Sequence, residues 1–131
     1  MTSRASLSLK GLDEYLEKIA RAGQDVDEAA ANAVVAGGDV LLDGMLRRVP
    51  IRTGLLSDTL SRTEPVRDGN LVAVEVGMPR NAPADVARYG NVQEYGSAET
   101  AAQPYIRPTI DQDAAKARQA QRKSLEQDGI L

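Results

Sequence analysis

The groups best equipped for chemistry in this 131-residue chain are carboxylates, clustered at Asp13-Glu14, at Asp25, Asp27 and Glu28, and at Asp111 and Asp113. Each cluster could be imagined around Mg²⁺ or Ca²⁺, but none has the spacing of a calcium-binding loop. Two of the three stand at expected helix starts, and Asp111 falls in the first turn of a third helix. Negative charge is stabilised there by the helix dipole without any ligand. The structural reading is preferred, and no metal site is expected. Histidine and cysteine are both absent, which removes the commonest general base, the commonest transition-metal ligand and any disulfide or thiolate centre. The serines and threonines thus lack an activating imidazole. No Gly-x-Ser-x-Gly elbow and no Gly-x-x-x-x-Gly-Lys phosphate loop occurs. A Ser–Lys pairing stays formally open, as would a small hydrolase built on it, although no spacing favours one. The expectation is a protein without catalytic residues or cofactor, and not an enzyme.

The densest basic cluster is Arg47, Arg48 and Arg52. These arginines could contact DNA phosphates, which makes a DNA-binding accessory module the alternative reading. Arginines at a helix end are also ordinary dipole partners, and three charges leave only a weak electrostatic footprint. Lys116, Arg118, Arg122 and Lys123 read similarly as the exposed side of the last helix. A net charge of −3 and a pI of about 5.0 argue against wrapping nucleic acid on a basic face. Three of the four tyrosines, Tyr89, Tyr95 and Tyr105, cluster among glycines and prolines. They suit a contact surface, or they cap a core that has no Phe or Trp; both readings stand.

The elements that must position these groups follow from periodicity. Residues 5–10 alternate as a short strand, and Leu12, Tyr15, Leu16 and Ile19 have helical spacing. A second helix opens at Asp25, runs along Val26, Ala30, Ala33, Val34, Gly37, Leu41 and Met45, and stops before Pro50. Gly37, Gly38 and Gly44 each cost about 1 kcal/mol there relative to alanine, which implies close approach by another element or a bend. Residues 60–66 and 71–77 read as strands joined at Asp68-Gly69, a two-residue hairpin signal. Val72, Val74 and Val76 share one face and Glu75 the other. A loop over 78–85, a short helix over 86–95 and a second loop over 96–103 follow. A last helix runs from Pro108 to about Gln127 with a thin stripe of Ile110, Ala114, Ala117 and Leu125. The expected fold class is α+β: a small, mainly antiparallel sheet packed by a long helix, with additional short and C-terminal helices. One domain over 1–131 is expected, with 1–4 and 128–131 as flexible tails. No apolar run of membrane-spanning length is evident, nor a signal-peptide block at the start.

Two stretches carry a family resemblance. "VPIRTGLLSDTL", residues 49–60, resembles the Pro-x-x-Thr-Gly-x-Leu-x-x-Ser/Thr-aliphatic signature of the tail-completion, or head–tail joining, proteins of long-tailed bacteriophages. "YGNVQEYGSAETAAQPYIRPTID", residues 89–111, resembles that family's second signature, and the opening "LSLKGLDEYLEKI" is similar to its usual start. The resemblance falls on Pro50, Thr53, Gly54, Leu56 and Thr59, and on Glu94, Tyr95, Gly96, Pro104, Tyr105, Arg107 and Pro108. It departs at Leu55 and Ser57, where basic residues are frequent, and at Tyr95 and Tyr105, where phenylalanine is more usual.

The implied role is structural: a virion subunit assembling as a homo-oligomeric ring, usually sixfold, at the neck. It would close the tail tube and join it to the DNA-filled head. The implied partners are further copies, head-completion or connector proteins and tail-tube proteins, with DNA passing the lumen without sequence specificity and no membrane involved. The implied location is the virion, after assembly in the bacterial host cytoplasm. Within the first stretch Pro50 would end the helix, Thr53 would accept a backbone N–H, and Gly54 would supply a backbone conformation closed to other residues. Leu55, Leu56 and Leu60 would anchor the connector.

Overall fold

A computed structural model of the chain describes residues 4–8, 26–51 and 54–131. The expected helix around 12–19, the acids Asp13, Glu14 and Asp25, and the connector residues Arg52 and Thr53 lie outside the described residues. The element order is β1 (Arg4–Ser8), α1 (Val26–Arg48), α2 (Leu55–Thr59), β2 (Ser61–Arg62), β3 (Val66–Asp68), β4 (Leu71–Gly77), α3 (Ala84–Tyr95) and α4 (Ile106–Gln127). The fold class is α+β.

β4 is the centre of the sheet. On one side β1 pairs with it antiparallel, Ser6 opposite Glu75; on the other, β2 and β3 share its length, also antiparallel. The strand expected over 60–66 is therefore corrected to two short pieces. Arg62 faces Val76 and Val66 faces Ala73, so Thr63, Glu64 and Pro65 oppose only Val74 and Glu75. That extra residue is a bulge, placed where Pro65 has no N–H to donate. The Thr63 hydroxyl fills part of the gap: it accepts the Glu75 N–H at 2.9 Å, while Thr63 N–H donates to the Glu75 carbonyl at 2.8 Å. The hairpin also shifts by one residue. Asp68 pairs with Leu71, leaving Gly69-Asn70 as the two-residue turn, with φ +61° at Gly69. A positive φ at the first central residue alone is the type II′ pattern, whose twist matches the strands.

Val72, Val74 and Val76 form the buried face of the sheet, each at most 3% exposed. α1 lies across them with Ala30, Ala33, Val34 and Met45 fully buried. The glycines of α1 mark close approach. A methyl group added at Gly38 would come within 2.9 Å of Val74 Cγ2, and one at Gly44 would overlap the Asp113 carboxylate. By length and composition Asp27–Arg48 is apolar enough to cross a bilayer, which corrects the sequence expectation, yet this helix is the core of the fold. It ends at Arg48, one turn short of which the Met45 carbonyl accepts Val49 N–H at 2.8 Å, and Pro50 follows.

α4 packs along α1, but not on the stripe read from the sequence. Its buried positions are Ile106, Thr109, Asp113, Ala117, Gln121 and Leu125, whereas Ile110 is 42% exposed. The helix starts two residues earlier than expected, so Asp111 and Asp113 stand beyond its first turn, and the dipole account of that acidic pair is corrected. An apolar search misses a stripe that is half polar.

Candidate functional site

The first signature makes a tight corner between α1 and the sheet. Gly54, φ +83°, is the N-cap of α2; an L side chain at that φ would press against the neighbouring carbonyl. Its own carbonyl accepts Asp58 N–H at 2.9 Å and the Ser57 hydroxyl at 3.0 Å. The Thr59 hydroxyl donates to the Leu55 carbonyl at 2.6 Å. Leu56 and Leu60 are buried as anchors, but Leu55 is 57% exposed, so that part of the expectation is corrected. A five-residue helix can turn only one side inward, and Leu56 occupies it.

The second signature joins α3 to α4 through one carboxylate. Glu94, in the last turn of α3, is fully buried. Its Oε1 accepts the backbone N–H groups of Tyr105 and Ile106 at 2.9 and 2.8 Å, and Oε2 accepts that of Arg107 at 3.1 Å. The first turn of a helix leaves its N–H groups unpartnered, and α4 has neither a capping side chain of its own nor an acid in its first turn. Glu94 supplies both functions from another element. Arg107 completes the link: its Nε donates to Glu94 Oε2 at 2.9 Å, its Nη2 donates to the Glu94 carbonyl at 2.5 Å, and its guanidinium stacks 5.0 Å from the Tyr95 ring centroid. Burial alone would raise the Glu94 carboxyl, but the backbone donors and Arg107 outweigh it and hold it below its ordinary range. Pro108, in the same first turn, needs no N–H partner.

Both signatures meet at Gly90 on α3. A methyl group there would lie 3.0 Å from the Tyr105 hydroxyl and 3.2 Å from Leu56 Cδ1. Tyr105 is fully buried and its hydroxyl donates to the Gly90 carbonyl at a long 3.5 Å. The tyrosine cluster therefore divides: Tyr105 is core, Tyr89 half-buried, and Tyr95 49% exposed beside Arg107. The intervening loop is pinned at its base, where Gly96 N–H donates to Val92 at 2.7 Å and Gln103 N–H to Gln93 at 2.7 Å. Pro104 is half-buried.

The arginines sit at the α1–α4 seam. Asp113 Oδ2 accepts Arg48 Nη1 at 2.7 Å and Arg47 Nη2 at 3.1 Å. Arg48 Nη1 also donates to Thr109 Oγ1 and to the Gly44 carbonyl, and Arg47 Nε pairs with Asp43 at 3.1 Å. The Arg48 hydrogen bond, against the opposing effect of burial and with the added charges of Arg48, Arg47 and Lys116, holds the Asp113 carboxyl below its usual range. Among the described residues no three carboxylates gather as metal ligands would. A cavity of about 250 Å³ at one end of the sheet has Glu75 and Arg80 as its charged residues, and they pair with each other at 3.0 Å.

Sequence reasoning named Glu94 without its role and did not find the Asp113 seam. One signal was available: α4 opens on "PYIRP", with no Ser, Thr, Asp or Asn at its N-cap. A helix start without a local cap needs a remote one.

A family model described as "HK97-gp10_like: Bacteriophage HK97-gp10, putative tail-component" matches residues 10–96, about two-thirds of the chain. No curated protein and no solved structure matches.

Proposed function

Because this chain belongs to the HK97-gp10-like family of bacteriophage tail components, we propose that it is a structural subunit of the virion neck. It assembles there as a closed ring, six copies being the expected number, that completes the tail tube and joins it to the DNA-filled head. It works by shape and contact rather than by catalysis. The observation that carries this reading is the convergence of two distant signatures on Gly90, where Leu56 and Tyr105 press on the same backbone. A ring subunit must hold two different surfaces at a set angle if successive copies are to close. A corner that locks α2, α3 and the start of α4 together does that. Its Tyr95 ring, 49% exposed, then faces outward toward a neighbour.

The neck position, its connector and tube-protein partners and assembly in the host cytoplasm belong to this proposal. A DNA-binding module built on Arg47, Arg48 and Arg52 is less favoured, since Arg47 and Arg48 are already committed to Asp113 and Asp43. The experiment is a nonsense mutation in the intact phage, with particles examined by electron microscopy. Filled heads beside separate, unjoined tails are expected; complete infectious particles would refute the role.

A further inference from the structure

The middle of α4, between the exposed acids Asp111 and Glu126, carries charge of one sign on its outward side. Between Ala114 and Leu125 the sequence holds Lys116, Arg118, Arg122 and Lys123 and no acid, and all four cations are exposed. Arg122 reaches Glu126 at 3.5 Å; Arg118 and Lys123 have no ion-pair partner among the described residues. α4 runs along α1 and meets the sheet at β1, so the helix that carries this basic face lies on the β1 flank.

The opposite flank is the edge formed by β2 and β3. Its arginines are neutralised within the chain, Arg62 by Asp39 at 2.6 Å and Arg67 by Asp27 at 2.5 Å. What remains exposed is Glu64 and Asp68, on either side of Val66, itself 64% exposed. β3 pairs with β4 alone, so its outer backbone edge is open among the described residues. Open strand edges need cover.

We infer that the basic face of α4 binds the acidic β2–β3 edge of a second copy of this chain, head to tail. The two patches are different and lie on opposite flanks, so every contact made leaves one patch of each kind free for the next copy. The inference rests on the ring reading above, for which it supplies the two faces that meet. Four cations make a small footprint for a phosphate backbone, and the matching acidic edge on the same chain points to self-association. Charges of this kind set partner orientation and encounter rate more than raw affinity; Val66 and the strand edge supply the contact between them.

Two charge-reversed chains test it, one carrying Arg118→Glu, Arg122→Glu and Lys123→Glu, the other Glu64→Lys and Asp68→Lys. All five side chains are exposed, and circular dichroism checks that both chains fold. In sedimentation at low salt the wild-type chain should associate, and added salt should weaken it. Each reversed chain alone should associate about tenfold more weakly or worse. An equal mixture should recover, because the acidic helix of one then meets the basic edge of the other. Reversed chains that assemble as well as wild type would overturn the contact and leave the ring intact. A wild-type chain that stays monomeric at every concentration reached would overturn it too. In either case the neck role stands or falls separately, on the particles made by the nonsense mutant. A short DNA duplex retained by wild type and lost by the helix-reversed chain, with association unchanged, would assign the face to DNA instead.

Discussion

α1 has two working sides, and they are built on different principles. Toward the sheet it presents alanines, Val34 and Gly38 to a row of valines. Toward α4 it presents Gly44, Arg47 and Arg48 to Thr109 and Asp113. The dry side is held by burial, which has no direction and tolerates any filling of similar volume. The polar side is held by groups that must meet at stated atoms, and a buried charge left alone is penalised heavily. The Glu94 cap extends the polar principle to the start of α4. The long helix and sheet therefore form a tolerant core, and α4 is placed in one register by two carboxylates.

The largest break should come from Glu94→Gln. It keeps the shape but turns an acceptor for three backbone N–H groups and Arg107 into a half-donor. A loss of about 3–5 kcal/mol is expected, the range for breaking a buried pair, read from urea unfolding. Acid should act on the same side without mutation. The native carboxyls of Glu94 and Asp113 are both depressed. Their contribution is therefore full above the ordinary carboxylate range and disappears as pH falls through it and through the depressed native values. The double variant Glu94→Gln, Asp113→Asn should unfold with a flatter dependence on acid; an unchanged slope would place the acid sensitivity elsewhere.

Asp113→Asn alone should cost about 2 kcal/mol, less than a deeply buried pair because Arg47 is half-exposed. On the dry side, Met45→Leu exchanges similar volumes at a fully buried site and should cost under about 1.5 kcal/mol in the same unfolding measurement. If it cost more than Asp113→Asn, the contrast between the two sides would fail. Tyr95→Ala, which removes an exposed stacking partner of Arg107, should change stability by only about 0.5–1 kcal/mol.

What the sequence could tell depended on how far apart the partners stand. The valine alternation of β4 and the proline stop after α1 were legible because neighbours within a few residues decide them. The hairpin was legible too, though displaced by one residue, since Asp68-Gly69 and Gly69-Asn70 offer nearly the same turn chemistry. The β2–β3 break was missed: a bulge is a property of two strands in register, not of one. The α4 stripe was misread because Thr109, Asp113 and Gln121 are polar, and polarity reads as surface until a partner is seen.

By itself the sequence determined the α+β class, the core face of the sheet and the family likeness carried by its two signatures. All of these reside in local pattern. The tertiary structure alone decided that Leu56 and Tyr105 share one glycine, and that Glu94 caps a helix beginning twelve residues beyond it. It also decided that Arg48 meets an aspartate sixty-five residues away. A carboxylate spells the same in the sequence whether water or a buried guanidinium surrounds it, and only the folded chain supplies those surroundings.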